Sequence, residues 1–305
     1  VSYLPTLGCS VLLLVLVWAG APSADLRLDR AWDTAAHLGV GELVLLWLAI
    51  TLVSVVLHPL QLWLVRLLEG QWPRWLGPVT DACVRRQERK RKQVSRRAVH
   101  TGDRPTRHEG NQIGAARTEL ELRFPPLELP PMPTALGNVL VALRESAGTA
   151  HGLDAVAVWP RIYPRLAAGT KSVVDDHRNI MDMGCRLSVT VAATAVATTV
   201  LVWKAHDAWM LLPGALLLLS RLAYRGAVSS AIAYGIALNA AIDTHRFELY
   251  RTLRLPLPEN PATERTFNSE LSRHWRQGGL HPHVAYEEPD NGAPSGTPAP
   301  GPGGP

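Results

Sequence analysis

Four apolar stretches limit what this chain can fold into, because a helix crossing a hydrocarbon layer about 30 Å thick needs roughly 20 mostly apolar residues. The clearest runs from Glu42 to Val65 (ELVLLWLAITLVSVVLHPLQLWLV). Leu187 to Trp203 is shorter, weakly hydrophobic and free of charge. Ala208 to Tyr224 follows after only Lys204 to Asp207, so these two stretches are expected to form a tight helical hairpin. The fourth, Leu7 to Ala21, reads either as a retained helix or as a signal-like segment ending near Ala24. Val1 to Thr6 carry no Lys or Arg, so the basic start of a secretory signal is missing and the retained reading is preferred. The mean hydropathy of +0.04 averages these blocks with a charged middle and a Pro/Gly tail.

Charge placement gives the expected orientation. Residues 85–97 (RRQERKRKQVSRR) hold eight basic residues and one acid, directly after the 42–65 stretch. The segment 22–41 holds three Asp against two Arg. Loops rich in Lys and Arg stay inside, so 66–186 and 225–305 are expected in the cytoplasm of a bacterial cell membrane. Arg outnumbers Lys 27 to 4, a codon-usage sign of a GC-rich bacterial genome, and Val1 fits a non-ATG start or a processed end. Cys9, Cys83 and Cys185 are isolated, which speaks against a disulfide framework.

The sequence therefore predicts an all-α, multi-pass helical membrane protein whose long membrane helices extend into a cytoplasmic helical, coiled-coil stalk. Its expected segments are an apolar helix (1–24), a membrane helix (42–70), a basic segment with a Pro-rich linker (71–133), and a helical region (134–186). A membrane hairpin (187–224), a cytoplasmic helix with its extension (225–275) and a disordered Pro/Gly tail (276–305) complete the chain. Within these, 101–117 reads as a loop, because Gly, Pro, Asn and charges are mixed there. Phe124 to Pro133, with five prolines, reads as extended. Short helices are expected from Thr134 and, capped by Asp154, after Gly152. The helix leaving the last apolar stretch should run to about Arg254 before Leu-Pro-Leu-Pro258 ends it, a length of about 65 Å.

Arg66-Leu-Leu-Glu-Gly70, Pro133-Thr-Ala-Leu-Gly-Asn138, Gly152-Leu-Asp-Ala-Val-Ala-Val-Trp-Pro-Arg161 and Arg246-Phe-Glu-Leu-Tyr-Arg251 are similar to stretches of a family of uncharacterised bacterial multi-pass membrane proteins. The resemblance covers roughly residues 40–275 and implies the membrane layout; it implies no activity.

Candidate chemistry is sparse. There is no GxSxG elbow, HExxH or EF-hand spacing, and Gly169-Thr-Lys-Ser172 lacks the features of a phosphate loop. Asp175, Asp176, His177 and Asp182 form the best metal-like cluster. Adjacent helix residues point apart, so a solvated face is the preferred reading and neither a metal nor another cofactor is expected. Thr51, Ser54, His58 and Gln61 share one helical face, as do Thr190, Thr194 and Thr198. Packing across helices is the ordinary use of such stripes; a polar path for a channel or transporter is the alternative. Arg85, Arg86, Arg89, Lys90, Arg91, Lys92, Arg96 and Arg97 form a basic patch suited to the membrane surface. No aromatic residue is interleaved with them, so nucleic acid is not the expected ligand. The expected partners are the bilayer, with anionic lipid at its inner surface, and an unidentified cytoplasmic protein. A small-residue face (Gly226, Ser230, Ala233, Ala237, Ala241) also admits a homo-oligomer. The leading expectation is a non-enzymatic membrane scaffold or interaction protein.

Overall fold

The computed structural model describes residues 4–23, 25–56, 63, 65–99, 106–205 and 208–277. Among these the chain is all-helical, without a strand. Its α-helices are α1 (Leu4–Trp18), α2 (Leu28–Ala36), α3 (Val40–Val56), α4 (Gly77–Ala98) and α5 (Arg107–Arg123). They continue with α6 (Ala135–Ser146), α7 (Ala155–Ile162), α8 (Ala168–Val202), α9 (Leu211–Leu253) and α10 (Pro261–Gln277). Two helical stretches, Ala168–Val202 and Ala208–Leu253, are long and apolar enough to cross a membrane. Leu28–Ala36 and Val40–Val53 meet at a bend of 116°, and taken together they make a third. The 42–65 stretch is the clearest of the four apolar stretches in the sequence. Its described helix ends at Val56, while 57–62 and 64 lie outside the described residues. The Pro/Gly tail beyond 277 also lies outside them.

The chain divides into two compact units. The first comprises Val1–Ala147 and Ala167–Ala240; the second comprises Gly148–Leu166 and Ala241–Pro305.

In the first unit, α8 and residues 211–240 of α9 run antiparallel. Ser220 Oγ donates to the Ser188 carbonyl at 2.8 Å, and a Cβ on Gly184 would meet the Ala227 backbone at 3.2 Å. Small residues at this contact permit the close backbone approach. α1 packs on α8, with Cys9 and Leu12 against Val191 and Ala195, and Leu16 and Ala19 against Val202 and Ala205.

A second hairpin lies between the apolar stretches. Trp72 to Leu76 break the chain, and α4 then carries Val94 and Ala98 against Ala116, Leu120 and Phe124 of α5. The expected loop over 101–117 is therefore corrected: Arg107–Arg123 is helical. Thr106 and Glu109 form a reciprocal capping box, with the Thr106 N–H donating to Glu109 Oε2 at 2.8 Å. Gly110, Asn111 and Gly114 disfavour a helix, but this cap and the packing on α4 outweigh them.

α6 starts at Thr134, whose hydroxyl accepts from the Gly137 N–H at 3.0 Å. Leu136 and Val139 are buried against Cys185, Ala227 and Ala231, each such side chain contributing about 2 kcal/mol. A Cβ on Gly137 would lie 2.2 Å from the Glu69 carbonyl oxygen, so only glycine lets α6 sit this close. Fully buried Asn138 holds the proline-rich approach by accepting from the Met132 N–H at 2.7 Å.

The second unit has its own core. Tyr250, Leu255 and Leu271 are buried, with Phe267 and Trp275 packed on them. α7 is capped by Asp154, which accepts from the Val156 N–H at 2.9 Å. Asn260 caps α10, accepting from the N–H groups of Ala262 (3.1 Å) and Thr263 (2.9 Å). Gly152 adopts φ +73°, and a Cβ there would be 2.4 Å from the Arg265 carbonyl oxygen. Both facts demand glycine.

Candidate functional site

Two groups of charged residues stand out, one in each unit. In the first unit a cavity of about 700 Å³ opens between α4, α5, α6, α8 and α9. Its basic lining is Arg86 and Lys90 from α4, Arg123 from α5, and Arg221 and Arg225 from α9. Arg86/Lys90 and Arg221/Arg225 are spaced i,i+4, so each pair shares one helical face. Thr134, Ser188, Ser220 and Tyr224 add hydroxyl groups to the wall, and Leu68 and Leu217 add apolar surface. No Asp or Glu stands among the described lining residues.

Neighbouring charges show how unusual that lining is. On α4 itself, Lys92 is 3.7 Å from Glu88, and Arg91 donates to the Leu129 carbonyl at 3.0 Å. Arg123 pairs with Glu119 at 3.8 Å. Arg86, Lys90, Arg221 and Arg225 have no carboxylate within 4 Å among the described residues. The sequence patch is thus divided by the fold. Arg86 and Lys90 enter this cavity, while Lys90 and Arg97 also border a smaller one of about 230 Å³. Arg85, Arg89 and Arg96 are exposed elsewhere on α4. Arg221 and Arg225 were absent from the predicted patch. A run of adjacent charges is visible in sequence, whereas these two lie more than 120 residues away from it. Their i,i+4 spacing at the end of an apolar stretch was the available signal.

Glu69 lies in the turn after helical residues 65–68 and is half-buried. Burial, and next the Asp182 carboxylate, hold its carboxyl above the ordinary range, against the pull of Arg66.

The predicted polar stripes fare differently. Thr190, Thr194 and Thr198 are buried; Thr194 Oγ1 donates to the Thr190 carbonyl at 2.8 Å. Thr190 Oγ1 and Thr198 Oγ1 are buried without a hydrogen-bond partner among the described residues. Thr51 is half-buried and its hydroxyl donates to the Trp47 carbonyl at 2.8 Å. His58, Gln61 and the Ser54 side chain lie outside the described residues. Asp175, Asp176, His177 and Asp182 all sit on α8, and no His/Cys/Asp/Glu group able to hold a metal ion occurs among the described residues.

The charged group of the second unit is compensated. Glu264, 7% exposed at its side chain, accepts from Arg246 Nε at 2.9 Å and lies 3.8 Å from His151 Nδ1. His151 Nε2 is 3.0 Å from Asp243 Oδ1. Asn268 Nδ2 donates to the His151 carbonyl at 2.8 Å, while its Oδ1 accepts from the Tyr250 hydroxyl. Asp154 pairs with Arg276, and the Arg161 guanidinium lies 4.4 Å over the Trp275 ring. A histidine between carboxylates can relay a proton, but among the described residues no serine or cysteine nucleophile is bonded to it. The geometry is that of a clamp joining the 149–151 turn, the end of α9 and α10.

Compared with known protein families, with curated proteins and with solved structures, the chain finds no match.

Proposed function

We propose that the chain is a multi-pass scaffold or interaction protein of the bacterial cell membrane, with no enzymatic activity of its own. On this reading the basic helices face the cytoplasm, and the second unit is the module offered to a cytoplasmic protein partner. Membership of the uncharacterised multi-pass family named above belongs to the same reading. One observation carries it: α9 contributes residues 211–240, including the apolar stretch, to the first unit and residues 241–253 to the second. The helix that holds the apolar stretch thus runs without interruption into residues of the second unit. The charge asymmetry around the apolar stretches supports the orientation. Photo-crosslinking side chains at Val156 and Leu257, both exposed in the second unit, test the reading in native membranes. The expected result is one discrete adduct from these positions and only lipid adducts from exposed Val196 of α8. Identical adduct patterns at all three, or a reporter fused near residue 100 found outside the cell, would overturn it.

The alternative, a channel or transporter subunit with a polar path between 42–65 and 187–203, draws support from the unpartnered hydroxyls of Thr190 and Thr198. Buried hydroxyls without partners are uncommon, and a passing solute or water would satisfy them. Their replacement by valine would then abolish flux in vesicles, whereas a packing role leaves flux untouched.

A further inference from the structure

We propose that the cavity between α4, α5, α6, α8 and α9 binds a phosphoryl group, presented as the headgroup of an anionic glycerophospholipid. The lipid source rests on the membrane reading above; the phosphoryl chemistry does not.

The first support is electrostatic. Like charges at i,i+4 on a helix repel each other, and the cavity gathers two such pairs. Arg123 is added to them, and no carboxylate stands in the described lining. The chain compensates charge readily close by, pairing Lys92 with Glu88 and the lining Arg123 itself with Glu119. The second unit buries its Arg246 against Glu264. Four cations with no carboxylate within 4 Å among the described residues, gathered around one concavity, therefore mark a place where an anion arrives from outside the chain.

The second support is the order of residues along α9. Leu217, Arg221 and Arg225 follow one another at i,i+4 and all line the cavity. One face of the helix thus passes from apolar to cationic at about 6 Å per step. An anionic lipid presents the same order, acyl chain first and phosphate next. Leu218 and Leu222, exposed beside this face, continue the apolar side.

Shape and donor chemistry narrow the ligand further. The volume lies within the range of about 300–1,000 Å³ usual for ligand sites. Guanidinium groups match the fork geometry of phosphate oxygens. Tyr224 is the one aromatic ring among the described lining residues, and its hydroxyl accepts from the Leu136 N–H at 3.1 Å, so the wall offers no run of rings on which successive nucleic-acid bases would stack.

The test uses the full chain in nanodiscs of phosphatidylcholine with a minority of phosphatidylglycerol, counting lipid retained per protein by native mass spectrometry. Two cavity variants, Arg221→Gln with Arg225→Gln and Arg86→Gln with Lys90→Gln, come from different helices, so a folding defect in one leaves the other informative. Arg85→Gln with Arg89→Gln removes the same charge from outside the cavity. Each cavity pair should weaken phosphatidylglycerol retention by roughly 30-fold, at about fivefold per charge, and the control pair by far less. Lysine at 221 and 225 should restore part of it. Equal loss in cavity and control variants would mean surface potential alone, and would sink the proposal, as would no loss at all. A separate arm measures inorganic phosphate binding to the detergent-solubilised chain. Cavity-dependent phosphatidylglycerol retention supports the lipid source; cavity-dependent binding of phosphate without lipid retention overturns that source and leaves the phosphoryl chemistry. A chain that stays monomeric without detergent would remove the membrane reading, while the phosphate arm still reports on the cavity.

Discussion

The two charged groups, one in each unit, handle charge in opposite ways. In the second, every charged group of the clamp meets an opposite charge or a ring: Glu264 meets Arg246 and His151, Asp243 meets His151, Asp154 meets Arg276, and Arg161 lies over Trp275. In the first, Arg86, Lys90, Arg221 and Arg225 face an open cavity without one. Compensated charges at low exposure fix a fold, because each is costly to leave alone once the other is present. Uncompensated charges around a concavity do not hold the chain together and are available to a ligand. The lesson is that charge density alone, which draws the eye to 85–97, does not separate structural from functional residues. Pairing does.

That contrast can be broken most sharply at Glu264. Glu264→Ala leaves Arg246 and His151 without their buried carboxylate and should cost about 3 kcal/mol or more. Hydrogen exchange would show it as faster exchange of the 155–162 and 261–277 amides. Unchanged protection there would mean that the clamp is ornamental to the second unit.

A smaller effect tests whether the first unit also carries charge at a loss. The raised carboxyl of Glu69 favours the neutral form in the fold, so its contribution is fullest below the ordinary value of 4.5 and is lost as pH rises through its elevated folded value. Glu69→Gln should therefore be more heat-stable than the parent at pH 7, with the difference closing as pH falls toward 4.5. A difference that is flat with pH would remove burial and Asp182 as the cause.

The smallest expected effect is the most telling. Arg221→Gln should leave thermal stability in detergent within about 0.5 kcal/mol, or raise it slightly by relieving repulsion from Arg225. A large loss would show that this arginine is structural after all and erase the distinction between the units.

Much of the secondary structure was legible locally. Period-3.6 patterns and caps at Thr134 and Asp154 mark α6 and α7, and the run into and out of the apolar stretches marks α8 and α9. α5 escaped notice because Gly110 and Gly114 lower local propensity, although Thr106 and Glu109 carried the capping signal. The bend between α2 and α3 has no counterpart in the apolar count, which is blind to direction. Arg66 to Gly70 and Pro133 to Asn138 were visible only as separate motifs. The fold explains them together, since the Glu69 carbonyl sits where a side chain at 137 would be.

By itself the sequence determined that the chain is helical, that it holds segments long and apolar enough to cross a membrane, and that basic residues crowd into 85–97. These follow from composition and short-range spacing, which act within a few turns of helix. Which charges are satisfied was decided only by tertiary structure. Arg246 and Glu264 are 18 residues apart, and Arg86 and Arg221 are 135 apart, so each outcome depends on how distant helices pack. An ion pair forms or fails within 4 Å, a distance that packing sets.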